Sequence, residues 1–200
     1  LVELAPQARE AGVPVVVDAA YQCFPLSELR RWARAGDVAC FSAKYFGGPN
    51  AGGFVAGRAD LVGDIAALDF TGYESGPWRT FGRAFKLDRA TVAATCAALQ
   101  EWFETDHEAR LRGYAELAER LASRLPGAEL KQFTLDERLV DGPVNAVVLP
   151  GAAALEPALA AGDPSIRAVV VGDALAFCTE ALTGAELDEI AAAFSRVSPN

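Results

Sequence analysis

The sequence has no methionine, a single histidine and only four cysteines, and each scarcity removes a class of site. Zinc sites and disulfide frameworks need clustered ligands or paired spacings, and this chain has neither. We therefore predict no metal site and four reduced thiols, most of them buried as small apolar side chains. The residues concerned are His107, Cys23, Cys40, Cys96 and Cys178.

Long apolar runs and a basic excess are also missing. No run approaches the roughly 18 residues of a membrane span, and no signal-like segment opens the chain, so we expect a cytoplasmic protein that binds no membrane. Lys and Arg number 18 against 27 Asp and Glu, a net charge of -9 at pH 7. Without a basic stripe, a nucleic-acid groove is not favoured, although a small anionic group could bind locally.

The first residue is not methionine either. The chain opens on Leu1, inside a segment with helical character. We therefore expect it to be the C-terminal part of a longer protein. Over 200 residues, 52% are hydrophobic and 22% are charged, which is typical of globular domains with a sizeable core.

Glycines and prolines divide the first half of the chain into helices and short apolar strands. Gly12 and Pro14 end a first helix. The strands that follow are continuously apolar, which is typical of a parallel sheet covered on both faces. A short Gly-rich loop leads to the third strand, which is therefore expected to run antiparallel. We predict helices at 4–11, 26–35 and 61–68, and strands at 15–17, 37–42 and 54–57.

The second half predicts a long helix followed by a small α/β domain. Asp88 is a suitable N-cap, and apolar residues recur at helical spacing after it. We predict further helices at 106–125, 152–161 and 184–197, with strands at 129–133, 145–149, 168–171 and 175–178. The domain prediction is the C-terminal part of a large domain over 1–87, a linking helix over 88–105 and a small C-terminal domain over 106–200.

Two neighbouring strands of the first half end close to charged side chains. Asp18 closes one apolar run, and Lys44 follows the strand that ends at Ser42. Ligands bind where the carboxyl ends of strands meet at one edge of an open α/β sheet. An ionised carboxylate at the end of a buried strand needs a cationic or hydrogen-bonding partner. The residue types leave two interpretations open: a structural ion pair, or a pyridoxal phosphate (PLP) site with Lys44 as the Schiff-base lysine and Asp18 on the pyridine nitrogen.

Short motifs extend this pattern along the chain. They are PVVVDAA at 14–20, FSAK at 41–44, GPNAGG at 48–53, FGRAFKLD at 81–88 and GDPSI at 162–166. Together they resemble the fold type I PLP-dependent enzymes. Within that group they are similar to the branch containing L-seryl-tRNA(Sec) selenium transferase and D-glucosaminate-6-phosphate ammonia-lyase. The resemblance implies an α/β fold, with a mostly parallel sheet in a partial large domain and a small C-terminal α/β domain.

Carried over residue by residue, the resemblance implies a cofactor site. Lys44 becomes the Schiff-base lysine and Asp18 the partner of the pyridine nitrogen. Ser42 would bind the cofactor phosphate, although a hydroxyl at a strand end also bonds backbone groups. Gln22 would reach the phenolic oxygen of PLP, or it is simply solvated.

Substrate contacts are expected further along the chain. Arg83 is the candidate for an anionic substrate group, because a guanidinium binds carboxylate or phosphate bidentately; the alternative is a surface arginine at a helix start. The glycines of 47–53 allow close approach to a ligand or partner subunit, or form a plain tight turn. Tyr73, Trp78 and Phe81 would line a pocket or pack on the sheet.

The implied activity is that of a PLP-dependent lyase or transferase. It would act on a small amino acid or amino sugar by elimination or beta-replacement, in a homodimer or larger homo-oligomer. The alternatives are an aminotransferase, a cysteine-desulfurase-like enzyme and a catalytically incomplete binding domain. An NAD-binding domain is not supported, since no strand leads into Gly-x-Gly-x-x-Gly. Enzymes of this fold carry phosphate-binding and ring-stacking elements ahead of the position of Asp18, so this segment alone is expected to be inactive.

Overall fold

The computed structural model describes residues 4–69 and 82–198. The chain divides into two compact units, Leu1–Thr105 and Asp106–Asn200. No described helix is both long enough and apolar enough to cross a membrane. In the same described ranges, no three His, Cys, Asp or Glu side chains are grouped so that they could hold a metal ion.

The first unit is built around a three-stranded sheet of order β1-β2-β3. Strands β1 and β2 are parallel, and β3 returns antiparallel, which confirms the expectation from the short loop. Two 3-10 helices, Ala43–Phe46 and Gly82–Phe85, accompany the regular elements. The strands are β1 (Val16–Asp18), β2 (Val38–Ser42) and β3 (Gly53–Gly57), and the helices are α1 (Leu4–Glu10), α2 (Leu26–Ala33), α3 (Ala59–Leu68) and α4 (Arg89–Glu104).

The two faces of this sheet differ. Val17 and Phe41 point into a core that also contains Leu29 of α2 and Ala98 of α4. Side chains alternate along a strand, so Val16 lies on the opposite face, where it is 66% exposed. Val38, the register partner of Val16, is only 3% exposed on that face. The described residues thus cover the second face at Val38 and leave it open at Val16, and a sheet covered fully on both faces stays a prediction.

Helix α4 begins as its sequence predicts. The Asp88 carboxylate accepts a 2.8 Å hydrogen bond from the Thr91 N–H. The first N–H groups of a helix have no acceptor within the helix, and Asp88 provides one for Thr91. Near the other end, the Trp102 indole N–H donates to the Cys23 carbonyl at 2.9 Å. The contact of Trp102 with Cys23 joins α4 to the turn that follows β1.

The second unit contains a five-stranded antiparallel sheet of order β5-β4-β6-β8-β7. Its core joins β6 and β8 to α5 and α7. The predicted helix at 152–161 is instead a 3-10 turn, Ala153–Leu155, that leads into a short α-helix. The helices are α5 (His107–Ala122), α6 (Glu156–Ala160) and α7 (Gly184–Val197), and the strands are β4 (Glu129–Phe133), β5 (Leu139–Val140), β6 (Ala146–Leu149), β7 (Val169–Val171) and β8 (Ala174–Cys178).

The four cysteines are all free thiols, but most are not buried. Cys23 is buried, Cys40 and Cys178 are half-buried, and Cys96 is exposed on α4. The prediction of mostly buried cysteines is therefore wrong. Cysteine is a frequent core residue, but the orientation of a helix decides whether any one position faces the core.

Candidate active site

The turn after β1 is tied to the end of β2. Asp18 is the last residue of β1 and is the register partner of Cys40. Beyond it, the Ala19 N–H donates to the Cys40 carbonyl and the Ser42 N–H donates to the Ala20 carbonyl, both at 3.0 Å. The parallel ladder thus continues past the strand, and it holds Asp18 and Ser42 at one edge of the sheet.

The Asp18 carboxylate has no cation beside it in the described part of the chain. Its Oδ1 accepts a 3.1 Å hydrogen bond from the Ala20 N–H, and the side chain is exposed. Among the described residues, neither Asp18 nor Lys44 belongs to an ion pair. The structural ion pair, one of the two interpretations of the sequence, is therefore not formed.

Ser42 and Lys44 lie where β2 passes into the 3-10 helix Ala43–Phe46. Ser42 is the residue that precedes this helix, and its side chain makes no capping hydrogen bond. The alternative role of Ser42, a hydroxyl bound to nearby backbone, is not what the structure shows. Lys44 is exposed, and its Nζ lies 4.9 Å from the ring centroid of Tyr45.

An open cleft of about 770 Å³ lies on the face of the sheet that carries Val16 and Asp18. Asp18, Cys40 and Ser42 contribute its polar groups from the strands. Most of the remaining wall is apolar, and Lys44, Gln22 and Arg83 are not among the described residues that line it. The other lining residues are Ala20, Phe41, Ala51, Gly52, Gly53, Phe54, Val55, Ile65, Asp69, Phe85 and Leu87.

Gln22 and Arg83 are each near a cleft residue in sequence. Gln22 is half-buried in the turn after β1, where its N–H donates to the Ala19 carbonyl at 3.0 Å. Arg83 is exposed on the 3-10 helix Gly82–Phe85, and Phe85 of that helix lines the cleft. Tyr73, Trp78 and Phe81, the predicted aromatic pocket, lie outside the described residues.

The glycines of 47–53 serve the packing of the loop. Gly47 ends the 3-10 helix with a φ of +83°, a conformation that glycine adopts readily. A Cβ on Gly48 would lie 2.8 Å from the Ala43 Cβ, and one on Gly52 would overlap the Thr95 hydroxyl of α4. They bring the loop close to Ala43 and α4. Gly52 and Gly53 also line the cleft, and the close approach of these glycines to a ligand or partner subunit stays a prediction.

Comparisons with known proteins add to these observations. No family model matches the chain. A curated 5'-C-glycyluridine monooxygenase-decarboxylase from a Streptomyces species is 31% identical over 173 residues, which is 82% of this chain and 40% of that protein. The structure of D-glucosaminate-6-phosphate ammonia-lyase matches with a TM-score of 0.70 at 20% identity, covering 96% of this chain and 51% of the other. An aminotransferase from Streptoalloteichus hindustanus matches with a TM-score of 0.52 at 16% identity, covering 98% and 63%.

The structural neighbours are PLP-dependent fold type I enzymes. This chain has the fold type I fold. The resemblance drawn from the motifs is thus confirmed at the level of the fold, and the chain spans about two fifths to three fifths of the length of the proteins it matches.

The residues at the sheet edge fit the chemistry of PLP. A protonated pyridine nitrogen needs a carboxylate that no protein cation already neutralises, and Asp18 meets that condition among the described residues. A phosphate group needs hydrogen-bond donors. The Ser42 hydroxyl makes no capping hydrogen bond to the 3-10 helix, so binding a phosphate would break no such bond. A fold type I site therefore has two suitable groups here on adjacent strands.

The sequence did not mark Cys40 or Tyr45 as residues of the site. Cys40 is the register partner of Asp18, so it shares the face that carries the cleft. Tyr45 is adjacent to Lys44 in sequence and contacts its ammonium group. Strand pairing and alternation could have pointed to Cys40, whereas the contact of Tyr45 depends on a 3-10 turn that the sequence did not indicate.

Proposed function

We propose that this protein is a PLP-dependent lyase or transferase that acts on a small amino acid or amino sugar by elimination or beta-replacement. The observation that carries this proposal is the Asp18 carboxylate. It lines the cleft at the carboxyl end of β1 and, among the described residues, has only the Ala20 N–H as a partner. A lone carboxylate beside an open cleft suits a cationic ligand atom better than it suits a structural role.

Each candidate residue then has a stated task. PLP, when bound, draws electrons away from the α-carbon of an amino substrate. The Asp18 carboxylate accepts a hydrogen bond from the protonated pyridine nitrogen and keeps the proton there. The Lys44 amine holds the cofactor and moves the α proton. Ser42 binds the phosphate and Gln22 the phenolic oxygen, while the Arg83 guanidinium takes an anionic substrate group.

We infer that the active form is a homodimer or larger homo-oligomer of the natural full-length chain. This chain covers 51% of the ammonia-lyase structure, so the proposed enzyme draws on sequence beyond these 200 residues. We expect the phosphate-binding and ring-stacking elements to come from that further sequence. The proposed partners are a small amino substrate and no nucleic acid, in keeping with the net charge of -9.

The visible absorbance of the purified full-length protein with added PLP tests this proposal. Lys44→Ala should abolish the absorbance band of the lysine-bound cofactor, and borohydride should remove it from the wild type and fix PLP on the peptide that contains Lys44. Lys86→Ala is the matched control, because Lys86 is also an exposed lysine of the first unit. A wild type that stays colourless with PLP would instead support a catalytically incomplete binding domain.

A decarboxylation is the second candidate function. The curated relative at 31% identity is named as a monooxygenase-decarboxylase of 5'-C-glycyluridine, in which a glycyl group is attached to a nucleoside. The aminotransferase among the structural matches likewise keeps transamination open. Product analysis separates these reactions: ammonia release indicates elimination, carbon dioxide release indicates decarboxylation, and an oxo acid with an aminated cofactor indicates transamination.

A cysteine-desulfurase-like reaction has less support in the described residues. It would require an exposed cysteine on a loop to accept sulfur. The exposed thiol, Cys96, lies within helix α4, and Cys40 lies within strand β2.

A further inference from the structure

The Lys44 ammonium has an aromatic partner instead of a carboxylate. Its Nζ lies 4.9 Å from the Tyr45 ring centroid, within the distance at which a ring face attracts a cation. Among the described residues, no Asp or Glu forms an ion pair with Lys44. In the described part of the chain, the Tyr45 ring is therefore the electrostatic contact that the structure shows for this ammonium.

The Tyr45 ring is itself supported from the turn that carries Asp18. Tyr21 meets it edge to face, with the centroids 6.2 Å apart and the planes at 65°. Tyr21 lies three residues after Asp18, in the turn that the Ala20 carbonyl ties to the Ser42 N–H. The backbone bonds that hold the carboxylate at the sheet edge thus also hold the ring that supports Tyr45.

Core packing alone does not explain the pair. Tyr45 is half-buried and packs against the core of the first unit, whereas Tyr21 is 42% exposed. Edge-to-face contact and a cation over the ring face are both electrostatically favourable arrangements of an aromatic quadrupole. The two contacts together form a continuous path from Tyr21 through Tyr45 to Lys44.

We propose that Tyr45, supported by Tyr21, is a positioning residue that holds the Lys44 ammonium of the cofactor-free protein until the amine reacts. A ring attracts the charged ammonium but not the neutral amine, so reaction of Lys44 with a carbonyl requires it to leave the ring. The structure is in keeping with such a resting place, since Lys44 is not among the described residues that line the cleft. The contact itself is independent of the proposed function, but its meaning for catalysis rests on that function.

The chain offers a direct test, because it contains three lysines in all: Lys44, Lys86 and Lys131. The full-length protein, freed of PLP, is treated with trinitrobenzenesulfonate, and the rate of modification of each of these lysines is followed by peptide mapping. Tyr45→Leu should raise the rate at Lys44 about two- to fivefold relative to the other two lysines. Tyr45→Phe keeps the ring and should leave the rate near that of the wild type, while Tyr21→Leu should produce a smaller increase.

Unchanged labelling of Lys44 in Tyr45→Leu would overturn the proposal, as would an equal increase in Tyr45→Phe. Circular dichroism and the rates at Lys86 and Lys131 show whether a variant is folded, and Tyr45→Met replaces Tyr45→Leu if the latter unfolds. Borohydride trapping of PLP is measured on the same variants with PLP added back. Faster labelling at Lys44 with no PLP trapped on any variant would leave the positioning role standing and would contradict the proposed function.

Discussion

At the scale of single residues, burial separates the cysteines by reactivity. Cys23 lies beneath the turn after β1, and burial raises the pKa of its thiol to about 11. The pKa of Cys178 is also raised to about 11, first by burial and then by the negative charge of Glu180. Cys96 is exposed on α4. Because the thiolate is the reactive form, position in the fold decides which thiol reacts.

We predict that iodoacetamide near pH 8 modifies Cys96 first and leaves Cys23 and Cys178 largely unmodified. A raised pKa leaves little thiolate below that value, so the slow sites should react only as the pH approaches 11, or on unfolding. Peptide mass mapping over time measures the rates. Cys96→Ser should remove the fast phase, and equally fast alkylation of Cys23 in the folded protein would contradict the assignment.

At the scale of elements, the contact between the Gly-rich loop and α4 holds the site in place. Gly52 lies against Thr95 of α4, and the Gly52 carbonyl accepts a 2.9 Å hydrogen bond from the N–H of Ala43, the residue before Lys44. The loop therefore connects the helix to the 3-10 turn that carries Lys44. A change in the loop is expected to disturb stability and the position of Lys44 together.

We predict that Gly52→Ala lowers the free energy of unfolding by about 1–3 kcal/mol, because the new methyl group overlaps the Thr95 hydroxyl. Gly63→Ala is the matched control. Gly63 is an exposed position within α3, and a methyl group added there would meet no atom within 4 Å, so alanine should stabilise by about 0.5–1 kcal/mol. Chemical denaturation of both variants measures the difference, and equal effects of the two changes would refute the packing role of Gly52.

At the scale of the whole molecule, the second unit has a core of its own. Val147, Leu175 and Leu187 are completely buried there, in a cluster that joins the five-stranded sheet to α5 and α7. In the described part of the chain, the strands paired in this sheet all belong to this unit. A unit with its own sheet and core is expected to fold without the remainder of the chain.

We predict that residues 106–200, expressed alone, unfold in one cooperative transition in urea. Leu175→Ala should lower the stability of this piece by about 2–5 kcal/mol, since Leu175 is 0% exposed. Circular dichroism and the fluorescence of Tyr114, the one tyrosine of a piece without tryptophan, should report the same midpoint. A gradual loss of signal without a transition in the unmutated piece would show that the unit depends on the rest of the protein.

Much of the element order was predictable because its signals are local. Helix α7 spans the predicted residues, Gly184–Val197, and its N-cap is a reciprocal pair between Thr183 and Glu186. Asp88 likewise caps α4. Strand β5, with two residues, was missed because it exists only through its pairing with β4. The position of Asp18 at the end of a parallel strand was predictable for the same local reasons, as was that of Lys44 after the next strand.

The sequence by itself determined which residue types stand at the sheet edge and in which order, since caps, turns and strand ends depend on neighbours along the chain. Tertiary structure decided what those side chains contact. Lys44 rests on Tyr45 and not on Asp18, one sheet face is exposed at Val16, and the loop glycines pack against α4. Such contacts and exposures depend on the packing of segments that are distant in sequence, and no local pattern records them.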